Sequence, residues 1–120
     1  LVDRLTGDGI PLENIYVDPC VFPISTSSEA GTFVLDAISW IHAQYPGVHT
    51  ICGASNVSFG LPDRETINGA FLAMAIARGL NCPIVDAAKV SHFILAADLA
   101  LGRDEYAMRY LKAYRKRKKA

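Results

Sequence analysis

Three short polar side chains follow apolar, β-branched runs, and they are the residues best placed for chemistry. They are Asp18, Asn56 and Asp86. An amide both donates and accepts hydrogen bonds, so Asn56, which is flanked by Ser55 and Ser58, suits the polar edge of a flat heterocycle. An aspartate at a strand end can instead cap the next loop or helix, an alternative that applies most to Asp86. Asp18 precedes Pro19 and an apolar loop, with no obvious helix to cap.

The runs that position these residues repeat along the chain. Residues 15–19, 50–53 and 83–87 start about 33 to 35 residues apart and are apolar rather than alternating. Such runs are typical of strands in a parallel sheet that is buried on both faces. Helical periodicity lies between them, so the repeating unit is strand, loop and helix. In such proteins the functional residues lie at the carboxyl ends of the strands, where Asp18, Asn56 and Asp86 would converge.

The sequence predicts four helices after the first strand. The first begins at Thr26, where Glu29 completes a capping box, and the others span 63–79, 91–102 and 104–118. The side chains predicted to face the core recur at helical spacing. They are Val34, Ile38, Ile41, Tyr45, Ile67, Phe71, Met74, Ile94, Ala97, Leu101, Ala107, Tyr110, Leu111 and Tyr114.

Three strand–helix units are too few to close a barrel. A (β/α)₈ TIM barrel takes roughly 250 residues, whereas this chain has 120. The chain lacks an initiator Met and opens on what looks like the tail of a helix, residues 1–5. We therefore expect an α/β fold, with residues 1–120 forming the C-terminal three βα units of a TIM barrel plus a terminal helix, cut from a longer protein.

Composition limits the location and partners. Half of the residues are apolar and a fifth are charged, which is typical of globular proteins. The longest stretch without Asp, Glu, Lys or Arg, residues 37–62, is too polar to predict a membrane span. Three cysteines without a Cys-x-x-Cys pair favour a reducing cytoplasm, buried structural thiols and no metal site. The three histidines, His42, His49 and His92, are also predicted to be structural.

The net charge of zero conceals a basic C-terminus. Six of the twelve basic residues lie in positions 112–120. Such a run can contact nucleic acid or a membrane, but cations also complement the dipole at the C-terminal end of a solvated helix. No aromatic stacking platform accompanies it, so we expect neither nucleic acid nor membrane as a partner.

Residues 53–62, with the sequence GASNVSFGLP, carry the most specific pattern in the chain. Together with Arg64, Asn68 and Phe71-Leu72, this segment closely resembles the methyltetrahydrofolate:corrinoid protein methyltransferases. These are pterin-binding enzymes that share their barrel with dihydropteroate synthase. The resemblance extends over residues 15 to 100 and is most specific at 53–72.

The resemblance assigns roles to individual residues. The family's sixth strand ends in Ile/Val-Asp-Pro, its Asp hydrogen-bonds the pterin ring, and Asp18 occupies that position. In the seventh strand, Gly-x-Ser-Asn-Val-Ser supplies an Asn beside the methyl-bearing N5, which makes Asn56 the predicted catalytic residue. The predicted substrate-binding set follows from these matches and from a looser match at the eighth strand. It consists of Asp18, Gly53, Ser55, Asn56, Ser58 and Asp86.

The resemblance also implies a substrate, partners and an assembly. Tetrahydrofolate or methyltetrahydrofolate is the implied substrate, and the methyl acceptor is a corrinoid (cobalamin) carried by a partner protein. The full-length enzyme is expected to be a homodimer. Methyl transfer from a tertiary amine needs protonation or a strong hydrogen bond at N5, which a neutral amide can donate without titrating.

Three alternatives remain open. Dihydropteroate synthase resembles Ser-Arg-Lys at the seventh strand, but this chain has Ser55-Asn56-Val57 and no base there. The chain could also be a non-catalytic fragment, inactive alone because other pterin contacts lie on earlier strands. A generic phosphate-binding barrel is the third, although Gly53 and Gly60 are too far apart for a phosphate loop.

Overall fold

The computed structural model describes residues 1–119, which form three parallel strands and five α-helices. The strands are Tyr16–Val17 (β1), His49–Gly53 (β2) and Cys82–Ile84 (β3). The helices are Val2–Gly7 (α1), Ala30–Gln44 (α2), Arg64–Arg78 (α3), Ala87–Ala100 (α4) and Met108–Lys119 (α5). Short 3₁₀ turns occupy Leu12–Asn14, Ala54–Ser58 and Glu105–Ala107.

The strands form one parallel sheet in the order β1-β2-β3. Tyr16 is level with His49, and Gly53 is level with Ile84. Because the strands are parallel, their carboxyl ends meet at one edge of the sheet. The predicted α/β organisation of strand–helix units is confirmed.

The two faces of the sheet differ in burial. Thr50 and Cys52 point toward the helices and are buried. Side chains of the other face are open, since Tyr16 is 53% exposed and Ile84 is 60% exposed. The helices therefore cover one face of this sheet, and the opposite face lies bare.

The main core lies between β2, α2, α3 and the Ala54–Ser58 turn. Its fully buried members include Ile38, Cys52, Val57 and Leu72. The predicted stripe of α2 is confirmed, because Val34, Ile38 and Ile41 are all buried. Most of the stripe predicted for α3 is also confirmed by buried Phe71 and partly buried Ile67.

Four of the predicted core side chains are exposed instead. They are Met74, Leu101, Leu111 and Tyr114. Met74 lies two residues, or about 200° of helical rotation, from buried Leu72, so it faces away from the core. Leu101 follows the last residue of α4. In α5, which lies against α4, the half-buried positions are Tyr110 and Ala113 rather than Leu111 and Tyr114.

The start of α2 differs from the prediction. The helix begins at Ala30, and no side chain caps it. The Thr26 hydroxyl donates to the Pro23 carbonyl oxygen at 2.8 Å, so it is used in a local turn rather than in a capping box with Glu29. The predicted capping box is therefore wrong.

The start of α4 also differs, by four residues. The sequence predicted Ser91, but the helix begins at Ala87 because Asp86 is its N-cap. Asp86 Oδ1 accepts a hydrogen bond from the Ala88 amide at 3.2 Å.

No helix in residues 1–119 is long and apolar enough to cross a bilayer.

Asp104 connects the end of α4 to α5. Its two carboxylate oxygens accept the Arg109 and Tyr110 amides at 3.0 and 2.9 Å. These backbone hydrogen bonds and the nearby Arg109 charge lower the pKa of Asp104, although burial opposes them. Tyr106 and Ala107 follow in the left-handed region, at φ of 56° and 57°, so the chain turns sharply just before α5.

We expect Asp104→Asn to loosen the start of α5. Because folding lowers the pKa of Asp104, its contribution is present above its unfolded pKa and is lost as the pH falls through its folded pKa. Amide exchange at Arg109 and Tyr110 should therefore speed up at neutral pH in the variant. Exposed Glu105→Gln is the control, and equal exchange in both variants would contradict the capping role of Asp104.

Candidate functional site

Asn56 lies on the 3₁₀ turn Ala54–Ser58 that follows β2, here called the Asn56 turn. Ala54 and Val57 are fully buried, and the Ile24 amide donates to the Val57 carbonyl oxygen at 3.0 Å. These contacts hold the turn against the core, while Ser55 and Asn56 are exposed at the carboxyl edge of the sheet. A Cβ atom at Gly53 would lie 3.5 Å from Asn56 Nδ2, so the Asn56 amide folds back over the end of β2.

Arg64, the first residue of α3, stabilises the Asn56 turn through two hydrogen bonds. Its Nε donates to Ser58 Oγ at 2.9 Å, and its Nη2 donates to the Ser55 carbonyl oxygen at 2.8 Å. Ser58 is fully buried, and its hydroxyl lies 2.7 Å from Asn68 Oδ1, to which it donates. The structure therefore places Ser58 inside the support of the turn, whereas Ser55 and Asn56 face outward.

Replacing Arg64 should release the Asn56 turn. We expect Arg64→Ala to lower the free energy of unfolding by about 1–2 kcal/mol, because two hydrogen bonds from a charged donor are lost and buried Ser58 loses a partner. Arg64→Lys should not restore this stability, since one ammonium cannot reproduce the two-acceptor geometry of a guanidinium. Urea unfolding would measure the free energy of unfolding of both variants.

Arg4→Ala is the matched control for this prediction. Arg4 pairs with Asp8 at 3.5 Å, but both side chains are largely exposed, so its loss should change stability by less than about 1 kcal/mol. A loss of the same size in Arg4→Ala and Arg64→Ala would show that Arg64 acts as an ordinary surface charge.

Asp18 follows β1 and is exposed next to β2. Its Oδ1 accepts the Cys20 amide at 2.8 Å, and Cys20 adopts a left-handed φ of 62° to complete this turn. Burial, and secondarily the negative charge of Asp18, raise the pKa of the Cys52 thiol to about 11. The Asp18 carboxylate therefore lies close enough to the end of β2 to influence Cys52.

The predicted burial of structural cysteines holds for Cys52 but is wrong for exposed Cys20.

Asp86 follows β3 on the other side of β2. Its capping of α4 confirms the alternative role considered for it, and this use leaves its second oxygen without a partner among the described residues. Asp86 also lines a cavity of about 230 Å³ beside the Asn56 turn. The cavity walls include Ser55, Arg64 and Asn68, so α3 and α4 both border the predicted site.

The sheet thus brings Asp18, Asn56 and Asp86 to one edge, with Asn56 on the central strand's loop. It does not bring Ser58 to that surface.

Sequence reasoning missed Lys89, which lines the same cavity three residues after Asp86. Its signal was available, since a residue three positions after an N-cap returns to the same side of the first helical turn.

Within residues 1–119, no three His, Cys, Asp or Glu side chains lie close enough together to hold a metal ion. The histidines lie elsewhere in the fold. His49, at the amino end of β2, stacks on Tyr16 with ring centroids 4.5 Å apart. Its Nδ1 atom lies 3.0 Å from Asn81 Nδ2. This edge is opposite the one that carries Asn56.

Comparison with known proteins finds one matching family and several relatives. The pterin binding enzyme family matches residues 2–86. The methylcorrinoid:tetrahydrofolate methyltransferase of Eubacterium limosum is 31% identical over 120 residues, which cover 98% of this chain and 44% of that protein. The methionine synthase of Mycobacterium tuberculosis is 34% identical over 97 residues, covering 75% of this chain and 8% of that protein. The chain thus spans less than half the length of these relatives.

Proposed function

Because this chain belongs to the pterin binding enzyme family, we propose that it forms part of a methyltransferase acting between methyltetrahydrofolate and a corrinoid protein. Membership confirms the resemblance predicted from residues 53–72. The observation that carries the proposal is the exposed Asn56 amide at the carboxyl edge of the sheet, between the loops that bear Asp18 and Asp86. The names of the two relatives, which join tetrahydrofolate, corrinoid and methionine synthesis, support the same chemistry.

The proposed roles of the individual residues follow from the hydrogen-bond donors and acceptors at this edge of the sheet. The Asn56 amide donates toward N5 as charge develops there, which improves the folate as a leaving group. The Asp18 oxygen that Cys20 does not use accepts from the ring N–H and amino groups and orients the pterin. Gly53 leaves room for the ring, Ser55 borders it, and Ser58 keeps the turn in place through Arg64.

The methyl acceptor in this proposal is cobalt(I) of a corrinoid that a partner protein carries. The corrinoid supplies the cobalt nucleophile, and the residues described here bind and orient the folate. The same contacts serve the reverse transfer, from a methylcorrinoid to tetrahydrofolate, because both directions pass through the same transition state. The cytoplasmic location and the homodimeric full-length enzyme stay predictions, the first from the cysteine content and the second from the resemblance.

We also propose that this chain is the C-terminal part of a TIM barrel. The bare face of the three-stranded sheet supports this, because Tyr16 and Ile84 would face the barrel interior once further strands close the sheet. The 44% coverage of the Eubacterium limosum relative leaves ample length for those strands. Residues 1–120 would then supply strands six to eight and a terminal helix.

The direct test uses the full-length protein with cob(I)alamin and methyltetrahydrofolate. We expect protein-dependent loss of the cobalt(I) absorbance and formation of methylcobalamin. Failure with both free cobalamin and a corrinoid protein, in a preparation that binds folate, would contradict the proposal. Formation of dihydropteroate from the pterin pyrophosphate and p-aminobenzoate would support the synthase alternative instead.

A second candidate, an inactive fragment, is favoured by the bare sheet face. If the missing strands supply the remaining pterin contacts, the 120-residue chain alone should bind methyltetrahydrofolate at least about a hundredfold more weakly than the full-length protein, as expected when two buried hydrogen bonds are missing. Titration calorimetry of both proteins measures this ratio. Equal affinity would show that residues 1–120 hold the whole pterin site.

A further inference from the structure

The loop after β1, residues 19–28, is joined to the far end of the Asn56 turn by the hydroxyl group of Ser25. Ser25 Oγ donates to the Phe59 carbonyl oxygen at 2.7 Å, although the two residues are 34 positions apart in the chain. The two segments approach closely here, since a Cβ atom at Gly60 would lie 3.3 Å from Ser25 Oγ. One side-chain hydrogen bond therefore connects the loops that follow β1 and β2.

Phe59 is in turn hydrogen-bonded to Asn56. The Phe59 amide donates to the Asn56 carbonyl oxygen at 3.2 Å, so Ser25 lies only two hydrogen bonds from the backbone of Asn56. Among residues 1–119, no group is hydrogen-bonded to the amide group of the Asn56 side chain. The direction of that side chain is therefore controlled through the backbone. Arg64 holds Ser55 and Ser58, and Ser25 holds the residue after them.

Ser25 is itself fixed in a tight turn. The Thr26 amide and hydroxyl both donate to the Pro23 carbonyl oxygen, at 3.2 and 2.8 Å. The preceding residue is also tied down, because the Ile24 amide donates to the Val57 carbonyl oxygen at 3.0 Å. The Ser25 hydroxyl is thus already in place before any substrate binds, and little further ordering is needed for it to act.

We propose that Ser25 is a positioning residue for Asn56, acting through the backbone of Phe59. The inference rests on the proposed function, because it takes Asn56 as the hydrogen-bond donor to N5. A donor aimed at developing charge is effective only within a narrow range of distances and angles, so a small shift of the Asn56 turn slows the reaction. Ser25 acts on the rate through Asn56 and makes no contact of its own to the folate.

Ser25→Ala in the full-length protein tests this role. We expect single-turnover methyl transfer to slow about three- to tenfold, the effect of one lost neutral hydrogen bond. Folate affinity should change by less than about twofold, because the contact from Asn56 to N5 strengthens mainly in the transition state. Ser25→Thr keeps a hydroxyl group and should retain most of the rate. Ser27→Ala is the matched control, since Ser27 is exposed in the same loop and its side chain makes no hydrogen bond among the described residues.

A double-mutant cycle shows whether Ser25 acts through Asn56. Ser25→Ala should slow the wild-type protein but should have no further effect in the Asn56→Ala variant. Amide exchange at Phe59, which requires no turnover, should also be faster in Ser25→Ala than in Ser27→Ala.

Three results would overturn the positioning role and leave the proposed function intact. They are an unchanged rate in Ser25→Ala, rate losses that multiply in the double variant, and unchanged amide exchange at Phe59. Absence of methyl transfer by the wild-type protein, with both free cobalamin and a corrinoid protein, would overturn the proposed function and the role of Ser25 with it.

Discussion

Replacing Asn56 by Ala in the full-length protein should slow methyl transfer about a hundredfold while weakening folate binding less than about tenfold. Loss of a donor aimed at developing charge typically costs 10²–10³ in rate, whereas one neutral hydrogen bond contributes only about 0.5–1.5 kcal/mol to binding. The exposed position of Asn56 makes truncation compatible with folding, because the buried Ala54 and Val57 keep the turn in place. Single-turnover kinetics and a folate titration measure the two effects separately.

The control variants separate the Asn56 donor from its shape. Asn56→Asp preserves the size of the side chain but replaces the donor with a carboxylate, so it should be as slow as Asn56→Ala at neutral pH. Asn14→Ala removes an exposed amide from the Leu12–Asn14 turn, before β1, and should leave the rate unchanged. Equal losses of rate and affinity in Asn56→Ala would mean that Asn56 only binds the pterin.

Replacing Gly79 by Ala should lower the free energy of unfolding by about 2–4 kcal/mol, the largest stability effect that we expect. Gly79 ends α3 at φ of 117°, a conformation that costs an L-residue about 1–2 kcal/mol. A Cβ there would also lie 2.8 Å from His42 Cγ and 3.0 Å from His42 Cβ, so α2 would have to move. The Thr50 hydroxyl donates to the Gly79 carbonyl oxygen at 3.3 Å, and the strain would therefore reach β2.

Gly47→Ala is the matched control, because it isolates the backbone term. Gly47 has a similar φ of 102°, but its nearest contact would be Leu12 Cβ at an ordinary 3.7 Å. It should lose only about 1–2 kcal/mol. The double variant His42→Ala with Gly79→Ala should recover part of the difference in unfolding free energy between Gly79→Ala and Gly47→Ala. Equal destabilisation by Gly79→Ala and Gly47→Ala, measured by urea unfolding, would show that the His42 clash relaxes without cost.

The local sequence determined where most elements of this protein lie. Continuous apolar runs predicted all three strands, and the end of α3 at Gly79 followed from a residue that tolerates positive φ. The pattern at residues 53–62 likewise marked the Asn56 turn as the candidate site. These signals are local, because propensity, periodicity and turn chemistry act between residues a few positions apart.

Element starts were less predictable because competing local partners decide them. Thr26 and Glu29 match a capping box, but the Thr26 hydroxyl bonds the Pro23 carbonyl oxygen instead, and α2 starts at Ala30. Asp86 matched both a substrate ligand and a helix cap, and only the folded chain shows that it caps α4. For Thr26, two arrangements satisfy the same hydroxyl group, and the surrounding packing selects one. For Asp86, the cap uses one carboxylate oxygen and leaves the other without a partner among the described residues.

The sequence by itself determined the parallel strand–helix units, the family and the identity of Asn56 as the candidate catalytic residue. Only the tertiary structure decided how that residue is supported and what surrounds it. Arg64 reaches back to the Asn56 turn, Ser58 turns inward to Asn68, and Lys89 joins Asn68 around one cavity. These arrangements depend on α3 and α4 packing side by side against β2 and β3. Such packing joins residues that are distant in the chain, so neither local propensity nor spacing records it.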